Sequence, residues 1–77
     1  MSLSSKHNIF LIGIGGIGMS GLAKYFIEKN KNVFGYDREK SMITIDLTKK
    51  GAKIDYNLEN ITVKYNALPK DDTVVVY

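Results

Sequence analysis

Cysteine is absent from these 77 residues, so neither a disulfide nor a thiolate metal site can hold the fold together. That absence fits a reducing compartment. Long apolar runs are missing too. No stretch approaches the roughly 20 residues needed to span a bilayer. The polar start, MSLSSKHN, lacks the apolar segment of a signal peptide. A cytoplasmic protein with no membrane partner is therefore expected. No run of Lys and Arg is interleaved with aromatics. The net charge of +3 is scattered over Lys24, Lys29, Lys31, Lys49, Lys50 and Lys53, which reads as a solvated surface and not as a nucleic-acid footprint. There is no G-x-x-x-x-G-K-[ST] loop for ATP, no cluster of metal ligands and no nucleophile–base pair. No catalytic residue, no metal ligand and no cofactor are assigned within this chain.

What is present fits one small domain. A chain of this size buries only about 60% of its unfolded surface, so its core is thin. Residues 1–7 read as a disordered tail, of which 1–3 could be left over from cloning. Residues 8–77 read as a partial nucleotide-binding domain. NIFLI, Asn8 to Ile12, is apolar on both faces, as a buried parallel strand must be. Met19, Leu22, Ala23, Phe26 and Ile27 then form one helical stripe, with Asn30 as a left-handed terminator. NVFGYD, Asn32 to Asp37, is a second strand.

MITIDLT alternates like a strand, yet Ser41 is a good N-cap and Gly51 a good C′ residue. Parallel neighbours need a crossover of a dozen or more residues, so Ser41–Lys50 is expected to be helical. AKIDY is a short third strand. Asn57–Lys70 is weakly patterned, with a short helical turn expected near Leu58–Ile61. Pro69, Asp71 and Asp72 mark a turn before TVVVY, Thr73–Tyr77, the fourth strand. Right-handed crossovers then give an α/β, Rossmann-like open parallel sheet of order 3-2-1-4, truncated after its fourth strand. An apolar edge strand in that position would favour self-association.

Between the first strand and first helix, four glycines fall within six residues: Gly13-Ile14-Gly15-Gly16-Ile17-Gly18. The spacing is G-x-G-x-x-G, and Asp37 follows Gly18 by 19 positions at the end of the second strand. This is the arrangement that seats a diphosphate on a helix N-terminus and offers a carboxylate to a nucleoside. Gly13 would permit the tight turn. Gly15 would let the backbone approach a pyrophosphate. Gly18 would let helix and strand pack closely. A nicotinamide dinucleotide and a nucleotide-sugar both fit this pattern.

The longer string IGIGGIGMSGLA, followed by VFGYD and LTKKGAKI, closely resembles the amino-terminal domain of the Mur ligase family, the cytoplasmic amide ligases of peptidoglycan synthesis. Within it the resemblance is to the members that add L-alanine to UDP-N-acetylmuramate, and it covers Asn8–Tyr77. Met19-Ser20-Gly21 is its most diagnostic part, because a generic dinucleotide loop does not demand it. The resemblance implies a domain that binds UDP-N-acetylmuramate, joined in the parent protein to domains that bind ATP and Mg²⁺ and complete an amide-forming ligase. In that reaction the muramoyl carboxylate is phosphorylated and L-alanine attacks the acyl phosphate.

By position, the resemblance gives Gly15, Gly16, Ile17 and Gly18 the role of amide donors to the diphosphate. Ser20 would add a hydroxyl, or simply bond its own helix. Asp37 would contact the uridine. Members of the family often carry a Gly-His pair soon after the third strand, its histidine near the uracil. Here the segment is Asp55-Tyr56-Asn57, one residue shorter. Tyr56 has two readings, strand packing first and stacking on the base second. His7 precedes the first strand and reads as an exposed terminal residue. An NAD(H)-binding module, a murein tripeptide ligase of the same family and a ligand-free scaffold remain the rival readings.

Overall fold

A computed structural model describes residues 6–77. The strands are β1 (Asn8–Ile12), β2 (Asn32–Tyr36), β3 (Lys53–Asp55) and β4 (Thr73–Val76). The helices are α1 (Ile17–Glu28), α2 (Met42–Lys49) and α3 (Leu58–Ala67), and a short 3-10 turn at Lys70–Asp72 precedes β4. All strands pair in parallel, in the order β3-β2-β1-β4. This is the α/β, Rossmann-like order expected from the crossovers. Ile9 sits opposite Val33 on one side and Val74 on the other, which fixes the register of the sheet centre.

Side chains alternate between the two faces. Ile9, Leu11, Val33, Ile54, Val74 and Val76 meet Ala23, Phe26 and Leu47 of α1 and α2. The other face carries Phe10, which is fully buried. Its ring stacks on Phe34 at 6.0 Å and meets Tyr65 of α3 edge-on, also at 6.0 Å. Helices thus cover β1 on both faces, and NIFLI is apolar throughout for that reason.

Both expected helix stops are observed. Asn30 has φ +61° and Gly51 φ +118°. Helix α2 prevails over its strand-like alternation because Ser41 caps it reciprocally. The Ser41 hydroxyl accepts the Thr44 amide at 3.2 Å, and the Thr44 hydroxyl accepts the Ser41 amide at 2.9 Å.

The short turn expected near Leu58–Ile61 is instead a ten-residue helix. The Asn57 side chain accepts the Glu59 amide at 2.8 Å and opens it. Of its large apolar and aromatic side chains only Ile61 and Tyr65, about one turn apart, pack toward the sheet, while Leu58 and Val63 stay exposed. So narrow a stripe leaves little periodicity to read. Leu68, before Pro69, is extended and ends the helix. The Lys64 ammonium lies 2.6 Å from Asp55 Oδ2, tying α3 to the end of β3.

Residues 1–5 of the expected tail lie outside the described residues. Lys6 is buried and donates to the Asp71 carbonyl. The His7 amide donates to Asp72 Oδ1 at 3.0 Å. Among the described residues no helix is long and apolar enough to cross a membrane.

Candidate functional site

The glycine-rich turn leaves the carboxyl end of β1, next to the carboxyl ends of β2 and β3. Gly13, at φ +79°, makes the reversal that an L side chain would resist. Its amide and that of Ile14 both donate to the Tyr36 carbonyl, at 2.7 and 3.1 Å. The Gly16 amide donates to the Gly13 carbonyl at 3.0 Å and closes the turn. Ile14 points inward and is fully buried. It lies against Gly35 of β2, where an added Cβ would come within 2.5 Å of Ile14 Cδ1.

Helix α1 then begins at Ile17, with Gly16 as N-cap and no side chain capping it. The Ser20 amide donates to the Gly16 carbonyl at 2.8 Å, the first bond of the helix. The amides of Ile17, Gly18 and Met19 precede it and have no acceptor among the described residues. Three unpartnered N–H groups at a helix start carry partial positive charge and suit an anion. Ile17 places its side chain in solvent, 91% exposed. Met42, the first residue of α2, is 82% exposed.

Asp37 follows β2 and is half-buried. Its Oδ2 accepts the Gly15 amide at 2.8 Å and its Oδ1 the Glu39 amide at 3.1 Å. The Asp37 amide donates to the Asp55 carbonyl at 3.2 Å, so the ends of β2 and β3 are linked as well.

Of the four residues expected to offer amides, Ile17 and Gly18 have theirs free, while Gly15 and Gly16 use theirs within the turn. Met19 joins the free set. The glycine at 15 has a different local reason from the one expected. A Cβ there would lie 2.7 Å from Asp37 Oδ2 and 2.9 Å from Thr44 Cγ2, so protein atoms already fill that space. The reason expected for Gly18 is not observed either. A Cβ there meets nothing within 4 Å, so helix–strand packing does not require it. The Ser20 side chain is buried, and its hydroxyl donates to the Ile17 carbonyl at 3.0 Å, one of the two roles open to it.

Tyr56 lies beside Lys40, whose ammonium is 6.0 Å from the ring centroid. Together with Ile45, Thr48, Lys49 and Ile54 they line a cavity of about 440 Å³ between α2 and β3. A second, apolar cavity of about 380 Å³ lies on the α3 face, lined by Phe10, Ile12, Ile61, Thr62, Tyr65 and Val75. His7 stands at the amino end of β1, away from the glycine turn. Its Nδ1 lies 2.9 and 3.0 Å from the two Asp72 carboxylate oxygens. That contact holds the Asp72 carboxyl below its ordinary range, with the side-chain hydrogen bond as the largest cause.

Two structural residues at the site escaped the sequence reading: Ile14, which anchors the turn, and Thr44, which is fully buried behind Gly15. A glycine inside the aromatic and β-branched run NVFGY was the available signal for Ile14, because such a glycine often marks a close approach. Thr44 three residues after Ser41 was the signal for the reciprocal cap.

The family model described as "Mur ligase family, catalytic domain" matches residues 8–77. The chain is 42% identical over 77 residues to a UDP-N-acetylmuramate--L-alanine ligase of Cytophaga hutchinsonii, covering 100% of this chain and 16% of that protein. It is 46% identical over 71 residues to the ligase of the same name from Flavobacterium psychrophilum, covering 92% and 15%. For that of Parabacteroides distasonis the identity is 42% over 78 residues, covering 100% and 17%. The chain thus spans about one-sixth of the length of the curated relatives it matches. No solved structure matches it.

Proposed function

Because the chain belongs to the Mur ligase family, we propose that it is the UDP-N-acetylmuramate-binding part of a ligase that joins L-alanine to that nucleotide-sugar in peptidoglycan synthesis. One observation carries the reading beyond the family: the uncapped start of α1, where Ile17, Gly18 and Met19 offer three free amides directly after the glycine turn. A diphosphate accepts from such amides without needing a lysine. Gly13, Gly15 and Gly16 shape the turn, and Ser20 stabilises the first helical turn behind it. Asp37, bonded to the Gly15 amide, is the carboxylate beside the turn that would accept from a nucleoside hydroxyl.

The amide-forming step is assigned to the longer ligase, in the cytoplasm, with ATP and Mg²⁺ bound outside these residues. The chain has no P-loop. Among its described residues no group of three or more His, Cys, Asp or Glu could hold a metal ion. These residues therefore do not fit ATP or Mg²⁺, and no chemical step is assigned to them. Their work is to bind and orient the UDP end.

The test is a calorimetric titration of the 77-residue chain with UDP-N-acetylmuramate and, separately, NADH. Binding of the nucleotide-sugar alone is expected, and the purified chain should release no phosphate from ATP. Preference for NADH would overturn the reading in favour of a nicotinamide-binding module, which the same turn and carboxylate would serve.

A further inference from the structure

Both oxygens of the Asp37 carboxylate are committed within the chain. Oδ2 holds the Gly15 amide and Oδ1 the Glu39 amide, at 2.8 and 3.1 Å. One side chain thus ties the turn after β1 to the turn after β2. Gly15 is pressed against it. A Cβ at Gly15 would lie 2.7 Å from Oδ2 and 2.9 Å from Thr44 Cγ2. Thr44 cannot easily retreat, because it is fully buried and bonded reciprocally to Ser41. The Gly15 peptide is therefore held between a carboxylate and a methyl group, two residues before α1 begins.

We infer that Asp37 is a positioning residue for the anion site: its carboxylate holds Gly15, and through Gly15 it sets where the free amides of Ile17, Gly18 and Met19 stand. The inference rests on the reading of that turn as the diphosphate site. It differs from a ribose contact in its consequence. A group that touches only the nucleoside matters only to nucleosides. A group that holds the turn matters to every ligand the turn receives, including one with no sugar or base. Gly15 is then a glycine to accommodate its own tether.

The experiment uses the ¹⁵N-labelled 77-residue chain and its Asp37→Ala and Asp37→Asn variants, titrated with UDP and with inorganic pyrophosphate. Asp37→Ala is expected to weaken pyrophosphate about tenfold, as for one charge-assisted hydrogen bond, and UDP by at least that factor. Asp37→Asn keeps an acceptor for Gly15 and should recover most of the pyrophosphate affinity. Without ligand, exchange of the Gly15 amide should quicken in Asp37→Ala and stay slow in Asp37→Asn. A loss confined to UDP, or a Gly15 amide indifferent to residue 37, would overturn the inference. If the parent binds neither ligand, the nucleotide reading and the positioning role fall together. The ligand-free exchange data then decide only whether Asp37 holds the turn.

Discussion

Gly35→Ala tests the packing beneath the glycine turn. Gly35 lies in β2 directly under Ile14, and its φ is not in the left-handed region, so an alanine backbone is allowed there. The obstacle is space. The new Cβ would stand 2.5 Å from Ile14 Cδ1, 2.8 Å from Ile14 Cβ and 3.0 Å from Ile14 Cγ2. Rotation of the side chain can move Cδ1 but not Cβ. Ordinary contact begins at 3.4 Å, so Ile14 Cβ must retreat by about 3.4 − 2.8 = 0.6 Å. The Gly13 and Ile14 amides, both bonded to the Tyr36 carbonyl, oppose that retreat.

Overpacking of this kind costs about 1–3 kcal/mol. At an open site, Gly→Ala would instead stabilise by about 0.4–1 kcal/mol through the unfolded chain. The two effects have opposite signs, so the direction of the change is itself informative. In a domain this small, each kcal/mol moves Tm by about 4–8 °C. Thermal unfolding followed by circular dichroism should show a lower Tm for Gly35→Ala. Gly21→Ala, in α1 with open space at its Cβ, should show a higher one. Ile14→Val removes Cδ1 and should make the Gly35→Ala penalty smaller, a coupling of at least about 0.5 kcal/mol. A Tm for Gly35→Ala at or above that of the parent would refute the reasoning.

Three further outcomes are expected. Ser41→Ala removes one half of the reciprocal cap of α2 and should lower stability by about 0.5–2 kcal/mol in denaturant titrations, with m unchanged; no loss would mean the cap is idle. The Asp72 carboxyl is held below its ordinary value of 3.8 by His7, so it favours the folded state above that pH and loses the effect as pH falls through the lowered value. The parent should therefore exceed Asp72→Asn in Tm near neutrality and converge on it in acid below about pH 4, and a constant gap would show that the contact does not titrate. Strand β4 pairs only with β1 among the described residues, and Thr73–Val76 carries no charge on that free edge. Sedimentation should show concentration-dependent association that Val75→Lys reduces, and a chain that stays monomeric at high concentration would refute it.

The sheet was legible because its strands announce themselves in two ways. NIFLI and TVVVY are continuous apolar runs, and each helix between strands ends at a residue suited to positive φ, Asn30 or Gly51. Chain topology then chose helix for Ser41–Lys50 against its own alternation. The same reasoning had no hold on α3. Its contact with the sheet rests on Ile61 and Tyr65, while Leu58 and Val63 face water, so apolar residues fall on both sides of the helix. A helix that buries so little has no periodicity to show, and only Asn57 and Pro69 marked its ends.

The glycine turn shows a different limit. Its spacing correctly located a strand-to-helix reversal, because Gly13 must adopt a positive φ and a glycine is the residue that does so cheaply. Spacing could not say why each later glycine is there, since that depends on neighbours brought in by β2 and α2. At position 15 the neighbours are Asp37 and Thr44, and at position 18 there are none within 4 Å. Two glycines in one motif therefore answer to different constraints. Gly15 is fixed by the protein itself and would be required even in a chain that bound nothing. Gly18 has room for a side chain, so packing within the chain does not account for it. It stands among the three free amides, where the proposed diphosphate would approach. That contrast separates the part of the motif that packing within the chain requires from the part that it does not.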